Sequence, residues 1–374
     1  MVRFVLSTAY RALALATAAS AVPVVPRQAN PFLSTPIADF AEPWSMAFLP
    51  DERVLVTEKN GSLRLVDPTT GSKGFISGVP TVLYGGQGGL GDVALHPHFD
   101  CNSLVYISYA EPGTGTESGA AIARGRLVLD DSGNGALENT EVIWRQSIKD
   151  ESGGHFSHRI VFHGSNSTLW ISSGDRQLFF PAQDLQSNLG KIIRLNDDGS
   201  IPEGNPFADQ GGVAAQVWAL GVRNPIGFDF DAEGRLWEVE MGPAGGDELN
   251  LIKEGVNYGW PLVSQGNHYN GTDIPNHDTA PEFTPPKVAW TPVISPASMV
   301  VYKGDLFAEW KGDVIISGLG ALGLVRAEIS GESASEAQRY PMGRRMRCVR
   351  EAADGALWTL EDGPGGRLLK LTPS

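Results

Sequence analysis

Phe48-Leu49-Pro50-Asp51-Glu52-Arg53-Val54-Leu55-Val56, Phe230-Asp231-Ala232-Glu233-Gly234-Arg235-Leu236-Trp237 and Ala353-Asp354-Gly355-Ala356-Leu357-Trp358 repeat one pattern. An apolar strand meets a short turn built on Asp, Gly or Asn, and a second strand ends in Leu-Trp or Leu-Val. Looser copies at 161–170, 95–107 and 301–316 bring the number to six. A lone β-hairpin cannot bury its own apolar faces, so the copies must stack on one another. A ring of sheets does this and leaves a central funnel where loops from different sheets converge. The expected fold is therefore all-β, a six-bladed β-propeller. Its units are placed near 43–80, 90–145, 155–210, 215–260, 290–330 and 340–373.

The bulk properties agree. The 374 residues suffice for a large core, and 45 Gly with 25 Pro suit many short strands and turns. The longest irregular stretch, 263–296, is a candidate functional loop. The final strand, Leu368-Leu369-Lys370-Leu371, is expected to pair with the N-terminal region and close the ring. With 43 acidic against 29 basic residues, the net charge of −14 argues against nucleic acid or anionic membranes as partners. No stretch approaches the ~20 apolar residues of a spanning helix.

Residues 1–21 read as a secretory leader: Arg3, then Leu13-Ala14-Leu15-Ala16, then the small-residue run Ala19-Ser20-Ala21. Residues 22–40 are Pro-rich and read as a linker or N-terminal strand, and 41–374 as the propeller. The expected location is extracellular. Sequons at Asn60, Asn166 and Asn270 fit a glycosylating route. Cys101 and Cys348 are the only cysteines; they form either a disulfide between an early blade and the last or two buried unpaired thiols.

Several motifs mislead. Gly86-Gln87-Gly88-Gly89-Leu90-Gly91 matches a dinucleotide fingerprint, but Asp92-Val93-Ala94-Leu95 continues as a strand where that motif needs a helix. Asp229 to Glu240 nearly fits a calcium loop, yet repeats the hairpin-turn grammar of Asp354-Gly355. His155 and His158 lack a third metal ligand.

Polar, Gly-supported segments fall where loops should enter the funnel: 86–92, 153–156, 174–176, 221–225, 240–248, 257–261 and 345–347. Their chemistry is complementary. Arg223, Arg345 and Arg347 suit a polyanionic ligand, because guanidinium grips carboxylates with two hydrogen bonds. His155 suits a general base. Gly242 and Pro243 offer backbone carbonyls, Glu248 a hard oxygen and Tyr258 its carbonyl, all suited to calcium.

Taken in order, these segments resemble the soluble pyrroloquinoline-quinone (PQQ) dependent aldose sugar dehydrogenases, the glucose/sorbosone dehydrogenase family. The likeness rests on Pro43-Trp44-Ser45-Met46-Ala47-Phe48, the Gly-Gln-Gly-Gly-Leu run, His155-Phe156, Arg223-Asn224-Pro225, Gly242-Pro243 with Gly246-Asp247-Glu248, and Asn257-Tyr258-Gly259-Trp260-Pro261. The resemblance implies a six-bladed quinoprotein oxidising the anomeric hydroxyl of an aldose to a lactone. Hydride passes to PQQ, and electrons then pass to an external acceptor such as a quinone, dye or cytochrome. It implies His155 as the base, Asp175 as its orienting acid, and Arg223 as stabiliser of developing charge. Gln87, His155, Arg223, Asn224, Gln265, Arg345 and Arg347 fall on quinone-contacting positions. Gly242 and Pro243 match ligands of the calcium beside the quinone, and Glu248 and Tyr258 a second calcium. The chain is expected as a monomer or homodimer.

Two departures stand out. Gly320 takes the place of a lysine that family members commonly set near the quinone, and Cys348 stands where an Asp often follows the second Arg. Two other readings remain: a non-catalytic propeller that binds a glycan or protein through a decayed cofactor site, and a calcium-dependent lactonase.

Overall fold

The turns of the repeated stretches are closed by their own acids. Asp231 Oδ1 accepts from the backbone N–H of Glu233 and Arg235 at 3.0 and 2.9 Å, and Gly234 takes φ +76°. Its Oδ2 accepts from the Trp237 indole at 2.8 Å, tying the turn to the strand behind it. Asp51 and Asp354 accept from the N–H two residues on in the same way. This is an Asx-turn, so the near-match to a calcium loop is a hairpin.

The structure is a computed structural model that describes residues 30–164 and 166–374; the expected leader lies outside the described residues. Among the described residues the chain is all-β apart from one short helix, Phe99–Asn102, and brief 3₁₀ turns. Its strands form five sheets, four of four strands and one of eight. The eight-stranded sheet is two antiparallel meanders, 43–77 and 90–145, joined where Ile76 and Ser77 pair in parallel with Gly135 and Ala136.

The opening strands of the meanders pack side by side. Pro43–Phe48 lies against Leu90–Leu95, that against Ser157–Phe162, and so on through Pro225–Phe230, Pro296–Val301 and Met346–Glu351, which returns to Pro43–Phe48. Burial falls outward: second strands such as Val54–Glu58 and Leu236–Glu240 are buried throughout, while the outermost Ser333–Pro341 is mostly exposed. Each opening strand also begins with a bulge, at Pro43/Ser45, Leu90/Val93, Ser157/Ile160, Pro225/Gly227, Pro296/Ser298 and Met346/Cys348. Bulges re-aim chain ends, and these sit beside the polar loops.

One side chain joins all of these opening strands. Buried Arg159 donates to Ile226 O at 2.7 Å and to Ser45 Oγ and Asp92 Oδ1 at 3.3 Å each. It also donates to Ala297 O, and to Arg347 O at 3.5 Å. Its guanidinium lies 3.8 Å from the centre of the Trp44 ring.

Some sequence boundaries move. Phe32–Asp39, in the stretch read as a linker or N-terminal strand, is a strand and pairs along its length with Arg367–Pro373. Val217–Leu220, expected to open the fourth unit, closes the third sheet; Val288–Trp290 and Ser333–Pro341 close the next two. Short or exposed edge strands carry too little apolar pattern to announce themselves. The glycine run at 86–91 leads into strand Leu90–Leu95 and opens no helix. A Cβ at Gly91 would lie 2.3 Å from His158 Cε1, so close packing requires this glycine. Cys101 is exposed and Cys348 buried, both as free thiols, so the disulfide alternative does not hold.

Candidate active site

His155 stands on a strained loop, with φ +48°. Two contacts hold it there: its N–H donates to Gln87 Oε1 at 2.8 Å, and Arg176 donates to Gly154 O while lying 3.6 Å over the Phe156 ring. The imidazole is 5% exposed. Its Nδ1 lies 2.6 Å from Asp175 Oδ1, and Asp175 Oδ2 accepts from the Trp260 indole at 2.7 Å. Asp175 is acceptor-only when ionised, so Nδ1 carries the proton and Nε2 the lone pair. Burial pushes the His155 pKa below 6.5, with Arg223 and Arg176 adding to the effect and Asp175 opposing it. At neutral pH the ring is therefore a neutral base with a fixed tautomer.

Beside it lies a cavity of about 430 Å³ whose walls include Gln87, Asn224, Arg345 and Arg347; His155, expected at the quinone, is not itself a wall but stands behind Phe156 and Gln87, which are. Trp44, Phe156, His158 and Ile226 supply its apolar and aromatic surface. His158, 1% exposed, is pushed down to about 3 by burial, with Arg159 adding to the effect, so it is a neutral wall. The two arginines share one acid: Arg345 Nε and Arg347 Nε each donate to Asp362 at 2.7 Å. Asp362 went unnoticed in the sequence; it stands on the next strand end, and a lone Asp after Glu361 carries no motif. Asn224 Oδ1 accepts from Ser157 Oγ at 2.9 Å.

Arg223 faces away from this cavity. Its Nη1 donates to Met241 O and Gly242 O at 2.9 and 2.7 Å, and it lies 5.1 Å from the centre of the Trp260 ring. Its backbone N–H and that of Asn224 both donate to Glu240 Oε2, a residue that the sequence offers only as the end of the near-match calcium loop. Gln265, expected at the quinone, is not among the walls of the larger cavity. Its amide pairs with Asn276 within its own loop, which folds back on itself between Ser264 and Pro275.

Gly242, Pro243, Glu248, Tyr258 and Arg223 border a second, small cavity of about 10 Å³, room for one water-sized sphere. Behind it Glu238, Glu240 and Glu248 lie 3.2, 3.4 and 3.5 Å from the single amide nitrogen of Asn250. Burial raises all three carboxyls, Glu240 to about 7. Glu238 Oε1 and Asn250 Oδ1 have no partner. Three buried carboxylates around one side-chain amide, with Glu240 also held by the Arg223 and Asn224 N–H groups, fit a hard cation. Among the described residues no group of three or more His, Cys, Asp or Glu forms a metal cluster, so backbone carbonyls would have to complete the shell. At Gly242 the Arg223 guanidinium already occupies one face of the carbonyl.

Gly320 is built into its turn. A Cβ there would meet Ser295 Oγ at 2.9 Å and Ile294 O at 3.0 Å, so a side chain would need both to give by a few tenths of an ångström.

Residues 40–370 match the family model described as glucose/sorbosone dehydrogenase. The aldose sugar dehydrogenase YliI of Escherichia coli is 37% identical over 337 residues, covering 88% of this chain and 90% of that protein. The crystal structure of the soluble aldose sugar dehydrogenase of E. coli in its apo form superposes with a TM-score of 0.85 at 35% identity, covering 92% of this chain and all of that one. The PQQ-bound aldose sugar dehydrogenase of Streptomyces coelicolor gives 0.74 at 26% identity, covering 92% of this chain and 98% of that one.

Proposed function

The chain belongs to the glucose/sorbosone dehydrogenase family, an oxidoreductase family, and from that premise we propose that it oxidises aldoses at the anomeric carbon with PQQ as hydride acceptor. One observation carries the reading: a neutral imidazole, oriented by Asp175 and Trp260, sits directly behind a cavity lined by its neighbour Phe156, by Gln87, which holds its backbone N–H, and by a pair of arginines. Its volume of about 430 Å³ suits a planar cofactor, and the arginine pair suits carboxylates.

The protein's own steps follow from the geometry. His155 Nε2 takes the proton of the anomeric hydroxyl, and Asp175 steadies the imidazolium that forms. Gln87 positions the base through the His155 backbone. Arg345 and Arg347 anchor carboxylates at the far wall, while Phe156 and Trp44 exclude water. Arg223, facing the smaller cavity, acts on the base at a distance: its charge disfavours the imidazolium and helps keep His155 neutral before the proton is taken. PQQ, when bound, supplies the two-electron chemistry; the protein orients and polarises it. Glu248 and the carbonyls of Tyr258, Gly242 and Pro243 border one cavity with room for a single ion, so they would hold one calcium there, in place of the two that the resemblance implies. The product is a lactone, and the electrons leave to an external acceptor.

The six-bladed propeller reading is supported by the closed circuit of opening strands, with the eight-stranded sheet counted as two blades. Export is supported by the leader-like residues 1–21, and glycosylation by exposed turn positions for Asn60, Asn166 and Asn270. Among the described residues no helix is long and apolar enough to cross a membrane.

The test is reconstitution with PQQ and Ca²⁺, followed by dye reduction with a panel of aldoses. The expected result is sugar-dependent reduction that requires PQQ. Absence of both reduction and PQQ binding would overturn the proposal.

A further inference from the structure

Resting on the quinone reading above, we infer that Lys59 supplies the cationic contact that the Gly320 turn cannot, as the third positive side chain holding the carboxylates of the planar polyanion. Lys59 follows strand Val54–Glu58 and borders the same cavity as Gln87, Arg345 and Arg347. Its side chain is 13% exposed. Nζ lies 2.9 Å from Glu42 Oε1 and 3.1 Å from Gly86 O. An ammonium has three donors, so one remains for a ligand.

Charge accounting makes the residue necessary. The cavity wall holds three cations, Lys59, Arg345 and Arg347, and two anions, Glu42 and Asp362. Both arginines already share Asp362, and Lys59 faces Glu42. With Lys59 present the wall carries one net positive charge; without it the wall is neutral, and a tricarboxylate meets no net attraction. Glu42 keeps its own support, since Tyr84 donates to its other oxygen at 2.5 Å. Burial alone would raise the Glu42 pKa, but the bonds from Tyr84 and Lys59 outweigh it and hold the carboxyl ionised. The lysine is thus parked on a partner that can share it. Gly320 carries no side chain to supply a cation and its turn is tightly packed against Ser295 and Ile294, whereas the 59 position already points its charge to the cavity rim.

The experiment titrates PQQ into the full protein without sugar or dye, following quenching of tryptophan fluorescence, since Trp44 lines the cavity. Lys59→Met should weaken PQQ binding about tenfold or more, the size of a lost charge-assisted bond. Lys59→Arg should stay within about threefold. Glu42→Gln should tighten binding, because it removes an anion and frees the ammonium. A merely structural Lys59–Glu42 pair requires the opposite, with Glu42→Gln weakening binding as Lys59→Met does. That result would overturn the inference, as would a Lys59→Met protein that binds like wild type; both would leave the quinone reading standing. Wild-type protein that binds no PQQ would remove the quinone reading and this inference with it.

Discussion

Replacing Asp175 with Asn changes no shape and one charge, and the structure says what that does. Asp175 Oδ1 accepts from His155 Nδ1 at 2.6 Å and from the Gln177 N–H at 2.9 Å, while Oδ2 accepts from the Trp260 indole at 2.7 Å. Three donors meet two oxygens, and Asn offers one. If its oxygen faces His155, its NH₂ opposes the Trp260 N–H, leaving a buried donor unpaired at a cost of about 1–3 kcal/mol. If its NH₂ faces His155, Nδ1 must become the acceptor and Nε2 takes the hydrogen, so the base is lost. Either way turnover falls, by about 10²–10⁴-fold, the usual worth of a positioned general base. PQQ binding should change little, because Asp175 is not a wall of the larger cavity. The assay is kcat/KM of the PQQ-loaded variant beside its PQQ dissociation constant and thermal midpoint. A variant within threefold of wild-type kcat/KM refutes the assigned chain of Trp260, Asp175 and His155.

The pH dependence has a defined sign. His155 acts unprotonated and burial lowers its pKa, so the acid limb of kcat/KM should fall below pH 6.5; a limb above 6.5 contradicts the reading. Arg159→Met removes the bonds that join the opening strands and should cost about 3–5 kcal/mol, a large part of ordinary stability, read as a lower urea midpoint. Calcium at about 100 times its Kd should stabilise the fold by about 2.7 kcal/mol, and Glu248→Gln should abolish that shift in thermal midpoint. The exported protein should begin near Ala21–Val22 on N-terminal sequencing; an intact Met1 would contradict the leader.

The hairpins were legible because turn chemistry and strand burial point the same way. Asp231 and Gly234 demand a turn, and Leu236 and Trp237 demand a buried strand. His155 and Asp175 were legible as parts of ordered segments. Edge strands such as Ser333–Pro341 were not, since exposed residues carry no apolar pattern. The partners that set charge were also hidden. Asp362, Glu42 and Lys59 come from different strand ends, and their meeting at one cavity depends on ring closure that no local pattern reports. Arg159 reads locally as a strand residue, although it reaches every opening strand. Arg223 and Gln265 show the converse: a family position gives an expected role, while side-chain packing decides which cavity the group faces.

The central claim is that the cavity lined by Gln87, Phe156, Arg345 and Arg347, next to His155, is the seat of the quinone. A crystal soaked with PQQ and a slow aldose tests it most directly. The account predicts difference density within that cavity, its carboxylates at Arg345 and Arg347, and the sugar hydroxyl within hydrogen-bond reach of His155 Nε2. Ordered PQQ elsewhere on the protein, with this cavity filled only by water, would contradict it.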